Sequence, residues 1–286
     1  MYSTFLHLRF PFSFFLLPVS LFALSQSDQP DVHKVWLVFF ILHFLVFPAS
    51  NGYNSYFDKD EGSIGLLENP PPVGRNLYVV SLLLDALALV LSWFVSWQFL
   101  VFVLVYGLIS KAYSHPMVRL KKYPVLSWLT VGFFQGAATY AAVFLAISEV
   151  NFIGTIPKII LPALICTTNL LAIYPITQVY QHREDTQRGD LTMSVVLGIN
   201  GTFWNALVFL GISAIGFFWY LSLEQFVILM ATTAPMIDFL GVWFFQVRQD
   251  QARANFKNTM ILNILAGICL NLFFGILCIL KFWTAI

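Results

Sequence analysis

Two polar segments of this 286-residue chain carry oxygen-rich side chains at helical spacing. The first runs from Asn51 to Gly62 and sets Asn54, Asp58 and Glu61 at i, i+4 and i+7. On a helix that continues to about residue 60 these share one face. Such a stripe suits a hard cation such as Mg2+, which takes oxygen ligands and keeps waters. The second runs from Tyr174 to Asp190 and places Gln178, Gln181 and Asp185 at i, i+3 and i+7, with Glu184 beside them. Two such stripes facing each other across a bundle could clamp a Mg2+-bound anion. A third segment, Tyr113 to Pro124, holds Arg119, Lys121 and Lys122, three cations in four residues. These complement a phosphate group. Carboxylates for a divalent cation and cations for a diphosphate are complementary needs on a shared surface. Each segment also has a plainer reading. Acids at helix ends are ordinary solvated caps, and basic residues beside a membrane helix set its orientation.

The elements that must position these segments are membrane helices. The chain is 59% hydrophobic, 17% aromatic and only 10% charged, against roughly 25% charged residues in a soluble domain. Apolar runs near the ~20 residues needed to cross a bilayer core lie at about 7–24, 34–53, 77–95, 97–113, 125–148, 157–180, 201–221, 224–245 and 258–282. The predicted fold is all-α, a polytopic bundle of about nine transmembrane helices around a central cavity. The 77–113 stretch requires a very tight turn at Val95-Ser96-Trp97. The first run follows Arg9 and ends near Ala23-Leu24-Ser25, in outline a signal peptide. It is Phe-rich, broken by Pro11 and Pro18, and completes the helix count, so it reads as a retained first helix.

The connectors at 25–33, 96, 149–156 and 222–223 are short or nearly uncharged. Those at 54–76, 114–124, 181–200 and 246–257 are long and polar, and with nine helices they share the side of the N-terminus. Twelve of the fifteen basic residues lie on that side, and Lys34, Lys158 and Lys281 on the other. The positive-inside rule then places the N-terminus and the polar loops in the cytoplasm. The loops after helices 2 and 6 are about 125 residues apart and alike in opening with an amide followed by acids. The reading is one membrane domain over 1–286, with a hint of two related halves, 1–124 and 125–245, plus a final helix.

Other polar residues carry less. The net charge of +1 gives no basic field for nucleic acid. Cys166, Cys269 and Cys278 sit in apolar runs as small hydrophobes. His115 and His182 have no partner at metal-ligand spacing, and His43 reads as a core residue. Asp85 and Asp238 lie within helices 3 and 8, where either could line a cavity or serve a proton path. Arg248 and Arg253 read as orientation signals.

At this point the residues resemble the UbiA-type family of intramembrane prenyltransferases, which has nine helices and two Asp-rich motifs in cytoplasmic loops after helices 2 and 6. Asn54 and Asp58 match the Asn and central Asp of the first motif, while Ser55 and Gly62 stand at two of its Asp positions. Asp185, Gly189 and Thr192 match the tail of the second, with Gln181 at its first Asp. Tyr113-Ser114 through Arg119-Leu120-Lys121-Lys122 looks like the family's Tyr-Ser…Arg-Leu-Lys-Arg segment.

The resemblance implies Mg2+-dependent transfer of a polyprenyl group from its diphosphate to an aromatic or other acceptor within the membrane. Asp58 and Asp185 are the implied catalytic pair. Asp58, Glu61, Glu184 and Asp185 would hold Mg2+, and Asn54, Arg119, Lys121 and Lys122 would bind the diphosphate. Two of the four principal Asp positions are lost, at Gly62 and Gln181, and Asp60, Glu61 and Glu184 stand near enough to compensate. The implied partners are a prenyl diphosphate, an acceptor and membrane lipid. The alternatives are a catalytically altered member that binds a prenyl lipid or quinone, and a small-solute transporter.

Overall fold

The first apolar run does not form a single rod. Helix α1, Tyr2–Leu8, stops at Arg9, whose backbone is left-handed at φ 47°. A 3-10 turn over Phe10–Phe15 follows, then α2, Leu17–Gln26. Pro11 and Pro18 each lie at the start of the piece that follows the break, where a missing N–H costs no helical bond. The stretch Tyr2–Phe15 meets Leu17–Gln26 at a 41° bend, which corrects the continuous span read at 7–24. The computed structural model describes residues 2–148 and 152–283, and all the elements it forms there are helices.

Helix α3, Val32–Asp58, is capped by Asp31, whose Oδ1 accepts from the amides of His33 at 2.9 Å and Lys34 at 3.2 Å. It ends because Lys59 turns left-handed at φ 48°. Helices α4, Arg75–Trp93, and α5, Trp97–Ser114, are joined by the tight turn that their sequence requires. Ser96 makes it work by accepting the Phe99 amide at 3.1 Å. The remaining helices are α6 (Pro124–Ile147), α7 (Phe152–Ile176), the short α8 (His182–Arg188), α9 (Met193–Tyr220), α10 (Leu223–Gln249) and α11 (Phe256–Trp283). Residues 149–151 of the connector read at 149–156 lie outside the described residues. Among the described residues eight helices are long and apolar enough to cross a membrane, or nine if the bent α1–α2 pair is one span.

The helices close around Phe22 of α2. Its fully buried ring meets Tyr140, Phe217, Tyr220 and Phe274, drawn from α6, α9 and α11. A second core joins Phe203 of α9 to Trp243 and Phe244 of α10. Helix α6 presses directly onto the backbone of α7. A Cβ on Gly136 would stand 2.7 Å from the Thr167 nitrogen and 2.8 Å from its Cα. Small residues permit such approaches between membrane helices. Around Gly136, α6 widens into a π turn over Gly132–Ala138. The Ala137 amide donates to Thr167 Oγ1 at 3.2 Å, and Thr139 Oγ1 donates to the Phe134 carbonyl at 2.6 Å. Phe134 and Gln135 of the widened turn line the central cavity; π turns are frequent at functional sites.

The outer faces are apolar, and Trp36, Trp93, Trp97 and Trp219 are exposed near the helix ends away from the long loops. Tryptophan favours that depth of a bilayer. Neither intrahelical aspartate lines the cavity. Asp85 of α4 forms an ion pair with Lys111 of α5, whose ammonium also lies 5.1 Å from the Tyr53 ring. Asp238 is on an exposed face of α10. His43 is buried, with the Ser20 hydroxyl 3.3 Å from its Nε2.

Candidate active site at the loop end of the cavity

The last turn of α3 brings Asn54 and Asp58 to one face, where Asn54 Nδ2 donates to Asp58 Oδ2 at 2.8 Å. The same amide donates to Ser114 Oγ at 2.7 Å, which ties the turn to the end of α5. Beyond α5 the chain reverses at Arg119 (φ 47°), and a 3-10 turn over Leu120–Lys122 lays Lys121 inward. The Lys121 ammonium is 2.5 Å from Asp58 Oδ1 and 3.2 Å from Asp190 Oδ2. Arg119 grips Asp190 with two hydrogen bonds, Nε to Oδ1 at 3.0 Å and Nη2 to Oδ2 at 2.9 Å.

Asp190 is delivered by the end of α8. Gly189, at φ 71°, closes that helix, and the Asp190 amide returns to the Asp185 carbonyl at 2.9 Å. Burial raises the pKa of the Asp190 carboxyl, but the Arg119 hydrogen bonds and the Lys121 ammonium outweigh it, and the net shift is downward. The Asp190 hydrogen bond correspondingly raises the pKa of Arg119. Asp185 Oδ2 accepts from Thr192 Oγ1 at 3.2 Å, and the same Thr192 hydroxyl caps α9. Among the described residues no cation stands at ion-pair distance from Asp185.

The two acidic loops are stitched together. Arg188 bonds Asp60 of the first loop and Glu184 of its own helix. Glu184 Oε1 accepts the amides of Glu61 and Gly62, both at 3.3 Å, and Gln181 Nε2 donates to the Ser63 carbonyl at 3.1 Å.

Below these groups lies a cavity of about 290 Å³. Its polar end carries Asn54, Asp58, Asp60, Lys121, Asp185, Arg188 and Asp190. Its apolar part is walled by Phe12, Phe15, Leu16, Tyr106, Phe134 and Leu170. Tyr113 and Tyr174 are hydrogen-bonded to each other on the wall between, and Gln178 Nε2 donates to the Tyr174 hydroxyl at 3.1 Å. Arg9 also reaches the cavity, with its guanidinium 5.4 Å above the Phe12 ring and a buried Nε that has no hydrogen-bond partner.

Of the site residues expected from sequence, the cavity lining includes Asn54, Asp58, Lys121 and Asp185. Glu61 does not extend the Asn54–Asp58 stripe, because α3 ends three residues earlier and leaves it exposed. Lys122 is exposed beside the inward Lys121. Arg119 and Glu184 stand behind the lining, holding Asp190 and Arg188. The Gln178–Gln181–Asp185 stripe does not ride one helix, since α7 ends at Ile176, yet all three residues face the cavity. Sequence reasoning missed Arg9, Arg188 and Asp190. Arg9 had one visible signal, a lone cation between apolar runs broken by prolines. Arg188 had another, its i+3 position from Asp185.

Mg2+ needs only one or two carboxylates when a ligand's phosphates complete its shell. Asp58 and Asp185, both on the cavity lining, are the carboxylates that could meet that need for one ion. Among the described residues no three His, Cys, Asp or Glu side chains converge into a cage of their own.

The fold has counterparts among solved structures. The fold is similar to that of a UbiA homolog from Archaeoglobus fulgidus bound to DMAPP and Mg2+, at TM-score 0.71 and 18% identity over 98% of each chain. It is also similar to an apo UbiA homolog from Aeropyrum pernix K1, at TM-score 0.72 and 15% identity over 94% of this chain and 98% of that one. A digeranylgeranylglyceryl phosphate synthase aligns at TM-score 0.62 and 18% identity over 96% of both chains. A comparison with curated protein sequences finds no match. The model of the UbiA prenyltransferase family matches residues 13–265, nearly the whole membrane bundle. The chain therefore belongs to the UbiA prenyltransferase family.

Proposed function

We propose that this protein transfers a polyprenyl group from its diphosphate to an acceptor inside the bilayer, with Mg2+ as cofactor. The observation that carries this reading is one cavity with two chemistries. Carboxylates and cations crowd the loop end, and aromatic and aliphatic walls continue below. The Archaeoglobus relative, whose structures hold DMAPP or GPP together with Mg2+, supports the same pairing of ligand and metal.

Lys121 and Arg9 attract the diphosphate, and Asn54 and Lys121 fix the Asp58 carboxylate that faces it. Arg119 acts through Asp190, which holds Lys121 from the side opposite Asp58. Asp58 and Asp185 would hold Mg2+, which stabilises charge on the departing diphosphate. Heterolysis of the allylic C–O bond moves the bonding pair to the diphosphate and leaves an allylic cation. The Phe12, Phe15, Tyr106 and Phe134 side chains exclude water from that cation and offer aromatic faces to it. The acceptor then forms the new bond and loses a proton. The loops and the N-terminus would face the cytoplasm, following the basic residues.

The test is binding of a non-hydrolysable prenyl diphosphate analogue to purified protein, with and without Mg2+. Wild type should bind in a Mg2+-dependent manner, and Asp58→Ala and Asp185→Ala should each abolish that dependence. Binding that ignored both Mg2+ and the substitutions would sink the assignment. A second reading is a member that binds a prenyl lipid without turnover. It is favoured by the ion pairing of Asp58, Asp60 and Asp190 to protein cations, and it predicts binding of the prenyl chain with no product from any acceptor.

A further inference from the structure

Four principal aspartates, two to a motif, would supply carboxylates for two divalent cations; among the described residues of this chain a second cation has too few ligands. Gly62 and Gln181 stand at two of the four Asp positions, and the structure explains what replaced them. A Cβ on Gly62 would lie 2.5 Å from Glu184 Oε2. The space where a side chain at position 62 would begin is therefore filled by the carboxylate of Glu184, reaching across from the other loop. Glu184 does not offer that carboxylate to the cavity. It accepts two backbone amides of the first loop and binds Arg188. Asp60 binds the same guanidinium from the first loop. Gln181, at the other lost position, spends its amide on the Ser63 carbonyl. The negative groups on this flank are thus committed to a protein cation.

That cation faces the cavity, with 22% of its side chain exposed. Arg188 donates through Nη1 to Asp60 and through Nη2 to Glu184. One proton on each of these nitrogens and the Nε–H are left over. A planar guanidinium fixed by two carboxylates still has three N–H donors, and a guanidinium suits phosphate oxygens.

We infer that Arg188 takes the place of one of the two metal ions, so that the donor diphosphate is held by a single Mg2+ and by the Arg188 guanidinium fixed on Asp60 and Glu184. This rests on the prenyl-transfer reading and names a group by which this chain holds the diphosphate of that reaction. Asp58 and Asp185 would keep the remaining metal, with Asp185 one helical turn before Arg188 on α8.

The experiment counts ions and removes the guanidinium. Full-length protein in detergent is saturated with geranyl S-thiolodiphosphate, and bound Mn2+ is measured by electron paramagnetic resonance. One Mn2+ per chain is expected, and two would overturn the inference. In parallel, Arg188→Gln should weaken analogue binding by roughly 10- to 100-fold, the loss expected for hydrogen bonds to a charged group. Binding of uncharged geraniol should stay within about twofold, which reports that the cavity and loops remain folded. Unchanged analogue affinity in Arg188→Gln would overturn the inference, as would a parallel loss of geraniol and analogue affinity. A wild type that binds geraniol but no diphosphate analogue at any metal concentration would sink the prenyl-transfer reading itself. Two Mn2+ ions with tight analogue binding would sink only the role given to Arg188.

Discussion

Asp190 sits where positive charge is densest, between Arg119 and Lys121, with a side chain only 2% exposed. Its folded pKa is depressed because the cation contacts outweigh burial. A depressed folded pKa means that the ionised carboxylate contributes stability above its unfolded value of about 4, and that this contribution is lost as pH falls through the folded value. Asp190→Asn should therefore lower stability by about 1–3 kcal/mol at neutral pH. The gap to wild type should narrow as pH drops below about 4. Thermal unfolding in detergent across that range checks it, and a constant gap would refute it. The same residue marks the limit of sequence reading at this scale. Asn54 and Asp58 were legible because i and i+4 are neighbours on any helix. Asp190 was not, because its partners Arg119 and Lys121 lie about 70 residues away and only folding brings them together. Glu61 was misplaced for a local reason, the left-handed turn at Lys59.

Among the helices, most boundaries followed from apolar run length, and the α4–α5 turn was demanded by arithmetic alone. The internal irregularities were hidden. The π turn of α6 shifts hydrogen-bond partners without interrupting the apolar run, so nothing in hydropathy betrays it, yet its Phe134 and Gln135 line the cavity wall. Within it Gly136 lies against the α7 backbone, whose atoms cannot move aside as a flexible side chain would. Gly136→Ala should cost about 1–3 kcal/mol and move the cavity wall. Gly275→Ala in α11 is the control, because nothing lies within 4 Å of a Cβ there. Thermal shifts of the two variants decide the matter. Equal shifts would show that the α6–α7 approach tolerates a methyl group.

Across the whole molecule, the polar loops meet because the helices fold back on one another, and segments more than 120 residues apart share one cavity mouth. The outer surface is left almost wholly apolar. Within it the Asp85–Lys111 ion pair joins α4 to α5, the two helices linked by the three-residue turn. Asp85 lies ten residues beyond Arg75, about 15 Å along its helix. A single aspartate or lysine at the centre of a membrane helix costs about 2.5–3.5 kcal/mol on insertion. Asp85 alone makes α4 a poor passenger, and Lys111, from the last turn of α5, cancels its charge. During biosynthesis α4 should wait at the translocon for α5 and leave it sideways as one hairpin. Lys111→Leu should then strand Asp85 and reduce the fraction of integrated chains in a glycosylation-mapping assay, and Asp85→Leu in the same chain should restore it.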